Sequence, residues 1–192
     1  MVAARFPRFL SAAVPLAAIA WAVPAQAAPG PFPACLDYHC DRQQQVTLST
    51  ASWQEIRRLF APLRDAAGER AAIRQAIARL EQDVGRLTGT WRDLGENAAG
   101  AGLPGQLDCI AESRNTTTYL RLLADDGLLR WHEVGERVRR QRWIFAIHWT
   151  AVIRDLADGS EYAVDSWPLD NGQPPYMQPL EAWRRGAAFD AG

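Results

Sequence analysis

At Gly127 the apolar periodicity of this chain changes from helical to extended, which divides it into an N-terminal helical half and a C-terminal β half. Ahead of that glycine, Ser52-Trp53-Gln54-Glu55 fits a capping box that opens a helix. Trp53, Ile56, Leu59, Phe60 and Leu63 follow at helical spacing, and Pro62 kinks or ends the run. A second helix is expected over about 69–87, with Ile73, Ile77, Leu80, Val84 and Leu87 on one buried face and a charged, solvated face opposite. That stripe is shorter than the three or four heptads a coiled coil needs. A loop of small residues, 95–105, leads to Cys109. From Cys109 a third helix is expected to reach Asp126 and stop with Gly127 in the left-handed conformation. Within it Asn115-Thr116-Thr117 matches a glycosylation sequon, but reads more simply as the helix's outer face. Strands are expected over 129–134, 143–154 and 161–167, with Asp158-Gly159 as a tight hairpin turn.

The first residues point to export. Arg5 and Arg8 form a basic start, 9–23 is apolar and uncharged, and Ala25-Gln26-Ala27 has the small-x-small pattern of a cleavage site, so residues 1–27 read as a signal peptide. An uncleaved anchor is the competing reading, although the apolar run is short for a membrane span. The remaining 28–192 is the size of one domain with one core. Losing Arg5 and Arg8 moves the formal charge from −1 to −3, a balance that offers nucleic acid no electrostatic footing. A periplasmic or secreted location is expected, with no stable membrane insertion after cleavage.

Export also gives the 3 cysteines a meaning, because an odd count in an oxidising compartment leaves one thiol over. Cys35 and Cys40 are close enough in sequence to close a small loop as a disulfide, leaving Cys109 free. The alternatives are that Cys109 pairs with one of them or is a buried small hydrophobe.

Cys109, His148 and Asp165 are the candidates for chemistry. A cysteine opening a helix meets the positive end of the helix dipole, which favours thiolate, and a histidine across from it can share its proton. His148 falls on the face of its strand opposite Trp143, Phe145, Ile147 and Trp149, beside the small Ala146 and Thr150. Asp165 follows on the next strand, and a hairpin brings it alongside His148 only if the register allows. Asp170, further along the same segment, is the rival orienter.

The segment Asp108-Cys109-Ile110-Ala111, the helix end Leu120-Arg121-Leu122-Leu123-Ala124-Asp125-Asp126-Gly127, the strand bearing His148 and the strand bearing Asp165 together resemble the transglutaminase-like branch of the papain-type cysteine enzymes. Within that branch the chain is most similar to the small bacterial transglutaminase-like cysteine proteinases, many of them exported. The likeness covers about 107–171 and departs in one place, for the family often has a glycine where Leu107 stands. It implies an α+β fold in which N-terminal helices and the cysteine-bearing helix pack on an antiparallel sheet. It also implies a Cys-His-Asp triad working at an acyl carbon, on a protein or peptide of the cell envelope. The Cys109 N–H is the natural first oxyanion donor, and Gln106 is preferred over Asn97 and the Trp91 indole as the second.

Other chemistries are weaker. His39, His132, His148 and the cysteines contain no closely spaced chelating pair for zinc. Asp165, Asp170 and Asn171 lack the loop spacing of a calcium site, so no metal and no cofactor are expected. The basic run 137–142 reads as a solvated connecting loop more readily than as a surface for anionic lipid or glycan. Trp131, Trp143, Trp149, Trp167 and Trp183 crowd the C-terminal half, mostly as core, with one or two beside His148 and Asp165 as groove walls. A non-catalytic envelope module binding peptide or glycan in that groove is the second functional class.

Overall fold

A computed structural model describes residues 27–142 and 146–189. The expected leader, apart from Ala27, lies outside the described residues, as do Trp143, Ile144 and Phe145. The fold is α+β with antiparallel sheets. A hairpin of β1 (Phe32–Cys35) and β2 (Gln43–Val46) opens it, followed by α1 (Thr50–Phe60), α2 (Ala66–Thr88) and α3 (Cys109–Asp125). Then come β3 (His132–Val134), β4 (Val138–Arg142), β5 (Ala146–Asp155), β6 (Glu161–Asp165), β7 (Tyr176–Pro179) and the short α4 (Leu180–Arg185). Among the described residues no helix is long and apolar enough to cross a membrane.

The apolar stripes place the core. Ile73, Ile77, Leu80 and Val84 of α2 pack with Trp53 and Ile56 of α1, Leu120 and Leu123 of α3, and Ala151 and Ile153 of β5. Each fully buried leucine or isoleucine there contributes about 1.5–3 kcal/mol. On the sheet's other face Val152 and Ala163 pack with Leu180 and Trp183 of α4. Leu87 breaks the expected stripe: it is 54 % exposed.

Several local expectations are corrected. The N-cap of α1 is Ser49, whose side chain accepts the Ser52 N–H at 3.1 Å, while the Ser52 hydroxyl bonds Asp83. The polar face of α2 is not simply solvated, since Glu69, Glu81 and Asp83 are buried. Asn115, Thr116 and Thr117 are buried too. The Asn115 amide accepts from Cys35 N–H at 2.8 Å and donates to Cys35 C=O at 3.3 Å, which consumes the sequon in tying α3 to the hairpin. Residues 138–142 form β4, paired with β5, where a loop was expected. β1, β2, β7 and α4 carried no distinct periodic signal, being four to six residues long.

The end of α3 is as expected. Gly127 has φ 68°, its N–H bonds Ala124 C=O and the Leu128 N–H bonds Leu123 C=O, a Schellman pattern. The β5–β6 connection is longer than expected: Asp155 N–H already pairs with Ser160 C=O, so 156–159 form the loop, with Gly159 at φ 75°. This moves the register by two residues relative to a two-residue turn. The Ala151–Val164 pair then puts Asp165 level with Thr150, two residues from His148 and on the same face.

Candidate active site

Cys109 is set by the turn before it. Asp108 is the N-cap of α3, and its carboxylate accepts the Ala111 N–H at 2.9 Å. Its other oxygen lies 3.0 Å from Nδ1 of His39 in the disulfide loop. Leu107 is buried against Cys35, Cys40 and Ala111, and its N–H bonds Asp93 at 2.7 Å. Gly105 has φ 78°, and a Cβ there would run into Gly89 C=O. Cys35 and Cys40 form a disulfide, with Cα atoms 4.8 Å apart, and Cys109 is a free, partly exposed thiol.

His148 Nε2 lies 2.6 Å from Asp165 Oδ2, and the same oxygen accepts the Trp183 indole N–H at 2.7 Å. Asp165 is 1 % exposed, so an acceptor is held by two donors out of water. Asp165 therefore partners the histidine, and Asp170 does not: its carboxylate accepts the Gly95 N–H at 2.9 Å. The imidazole lies between Trp167 and Trp183, with ring centres 5.0 and 5.5 Å away.

The thiol meets this pair at the edge of β5. Cys109 Sγ lies 3.9 Å from the carbonyl oxygen of Ile147, and strand carbonyls lie in the plane of the sheet. The thiol also lies within hydrogen-bonding reach of the His148 imidazole, so the sheet does not separate them. Burial works against a charged His148, but hydrogen bonds and charge from Asp165 and Cys109 outweigh it and raise its pKa to about 9. With Nε2 on Asp165, Nδ1 is the nitrogen open to the thiol.

Gln106 is buried and knits the preceding loop together. Its Nε2 donates to Arg92 C=O, and its Oε1 accepts from Asn97 and, at 3.3 Å, from Leu94 N–H. Of the two other candidate donors, Asn97 thus spends an amide hydrogen on Gln106, and Trp91 is 57 % exposed beneath the Arg92 guanidinium.

Three features behind the site escaped sequence reading. Tyr38, in the disulfide loop, bonds Asn97 C=O, and burial with the charges of Asp93, Asp108 and Cys109 raises its phenol. Trp183 is one of the tryptophans from which groove walls were expected, but its indole N–H also clamps Asp165, a bond that spacing does not announce. Glu81, Asp93 and Glu112 form a buried acidic cluster beneath the cysteine turn. Burial first, then the charges of Glu81 and Asp93, raise the Glu112 pKa well above the usual carboxylate range. Burial likewise lifts Glu81 to about 7 and Asp93 to about 6. Glu81 accepts Gly172 N–H at 2.9 Å and Asp93 accepts Leu107 N–H, so the cluster fixes both loops that flank the site. Spacing alone gives no signal for it, because its members come from α2, a loop and α3. Among the described residues no group of three His, Cys, Asp or Glu side chains is arranged to hold a metal ion.

No family model matches this chain, and neither a curated protein nor a solved structure matches it.

Proposed function

We propose that the protein is an exported thiol acyl-transfer enzyme, a transglutaminase-like cysteine peptidase that cleaves an amide bond in a protein or peptide of the cell envelope. The observation that carries this reading is His148 held between a buried carboxylate at 2.6 Å and a free thiol at the start of a helix. The Cys35–Cys40 disulfide supports an oxidising compartment.

In the proposed reaction the Cys109 proton passes to His148, and the thiolate attacks the amide carbon. The C–N bond breaks as the imidazolium gives its proton to the leaving amine, leaving a thioester on Cys109. Water attacks that thioester with His148 as base, releasing the acid and restoring the thiol; an amine acceptor in place of water gives transfer. Asp165 fixes the imidazole's tautomer and stabilises its charge without taking the proton. The Cys109 N–H, in the first turn of α3, has no helical partner and is aimed at the oxyanion. Gln106 is the proposed second donor: one of its two amide hydrogens goes to Arg92 C=O, and the other remains for the oxyanion.

The test is digestion of a proteome-derived peptide library with wild-type protein and Cys109→Ala, read by mass spectrometry of new termini. Termini present only with the wild type support a peptidase. Identical spectra would leave a binding module as the better reading.

A further inference from the structure

Three guanidiniums converge on a cavity beside the cysteine helix. Arg114 and Arg121 lie on the exposed stripe of α3, and Arg137 faces them from the sheet edge; with Glu136, Gln43 and Thr118 they line a space of about 300 Å³. A bulge places Arg137. Val134 pairs with Ile153 and Val138 with Thr150, so four steps on one strand run against three on β5. The extra residue re-aims a side chain out of regular alternation. The Arg137 guanidinium donates to Ser113 Oγ at 3.0 Å and lies 5.1 Å from the centre of the Trp149 ring, so it is fixed in advance.

The charge there is poorly balanced. Burial first, then Arg114 and Arg121, lower the pKa of Arg137, with only Glu136 opposing them. Glu136 sits 3.8 Å from Arg121 with its side chain 94 % exposed, an arrangement that holds it weakly. Among the described residues Arg114 forms no salt bridge. Three cations around one cavity favour an entering anion. Glu136 shows the kind of group that fits, a carboxylate on a flexible side chain that an incoming one can displace.

The cavity lies along the helix that carries the thiol. Ser113 is one turn past Cys109, and Arg114 and Arg121 stand about 8 and 18 Å beyond it at 1.5 Å per residue. An extended peptide advances about 3.3 Å per residue, so a side chain roughly two to five residues from the reacting bond reaches these guanidiniums.

We infer that Arg114, Arg121 and Arg137 form a subsite for an acidic side chain, and that the substrate is a peptide carrying Asp or Glu roughly two to five residues from the bond presented to Cys109. The substrate assignment rests on the peptidase reading above, whereas the anion site itself does not.

The experiment uses the mature protein with its disulfide intact. Calorimetric titration with acetyl-tetraglutamate amide, its tetraglutamine counterpart and inorganic phosphate compares wild type, Cys109→Ala, Arg114→Gln, Arg137→Gln and, as a charge control, Arg58→Gln on the exposed side of α1. Tetraglutamate should bind wild type and Cys109→Ala alike. Its affinity should fall about tenfold or more in Arg114→Gln and Arg137→Gln and stay within about twofold in Arg58→Gln. Tetraglutamine should not bind. Because Arg114 is exposed, its variant keeps the test intact even where Arg137→Gln disturbs the bulge. Bound tetraglutamate should also slow iodoacetamide alkylation of Cys109 in wild type but not in Arg137→Gln. Arginine-dependent binding of phosphate without tetraglutamate would overturn the acidic peptide, and equal losses in all three arginine variants would overturn the subsite. Binding that gives Cys109 no protection would overturn the link to the thiol. Sluggish alkylation in the absence of peptide counts against the peptidase reading alone.

Discussion

Two histidines stand on strands of the same sheet, each with a carboxylate at hydrogen-bonding distance: His132 with Glu69 at 2.9 Å and His148 with Asp165 at 2.6 Å. Their surroundings separate them. His132 is closed on both sides, with Nδ1 on Glu69 and Nε2 3.1 Å from Arg70, and its side chain is 0 % exposed. Glu69 also accepts the backbone N–H groups of Arg130, Trp131 and His132. Burial alone would raise the Glu69 pKa, but these bonds lower it. His148 spends one nitrogen on its carboxylate, keeps 12 % of its side chain exposed and turns the other nitrogen to a thiol. A histidine beside a carboxylate therefore marks nothing by itself; an unspent nitrogen facing a nucleophile does.

The difference predicts where mutation destabilises the fold and where it alters reactivity. The largest stability loss is expected for Glu69→Ala, which strips a buried imidazole and three backbone donors of their acceptor. Removing one partner from such a network costs about 3–5 kcal/mol, so chemical denaturation should show a collapse of the midpoint. A loss below about 1 kcal/mol would break the comparison.

Next is a pH effect from His148. Its folded pKa of about 9 exceeds the ordinary 6.5, so the folded state binds the extra proton between those values. The stabilisation is complete below pH 6.5 and is lost as pH rises through about 9, on the order of 3 kcal/mol in all. Glu81 and Asp93, with folded values of about 7 and about 6, act in the same direction at lower pH, each losing its contribution as pH rises through its own value. Denaturation followed across pH should show stability falling towards alkali, and His148→Asn should flatten only the segment above pH 6.5.

Smaller effects sharpen the picture. Trp183→Phe keeps most of the packing but removes a donor from buried Asp165, a loss of about 1–3 kcal/mol. Asp108→Ala removes the cap of α3 and should cost about 1 kcal/mol by denaturation. Asp170→Asn should leave thiol reactivity as in wild type, because its carboxylate holds Gly95, whereas Asp165→Asn should slow it.

What was legible in the sequence follows from the range of the forces involved. The stripes of α1 and α2, the stop at Gly127 and the grouping of Cys109, His148 and Asp165 rest on local spacing or on the order of the chain. The distinction between His132 and His148 does not. Glu69 lies 63 residues before His132, and nothing in its helix-face position announces that it caps a distant strand. The buried fate of Asn115 was hidden likewise, since it depends on the disulfide hairpin docking 80 residues away in sequence. The exact register of β5 and β6 turned on two loop residues, where Asp158-Gly159 signals a turn without setting its length.

The most direct test of the central claim is the rate at which iodoacetamide alkylates Cys109 at pH 7 with the Cys35–Cys40 disulfide intact, in wild type, His148→Ala and His132→Asn, each checked for folding by near-UV circular dichroism. The account predicts fast labelling in the wild type, a fall of about tenfold or more in His148→Ala, and a rate close to wild type in any His132→Asn protein that remains folded. Labelling in folded His148→Ala as fast as in the wild type would contradict it.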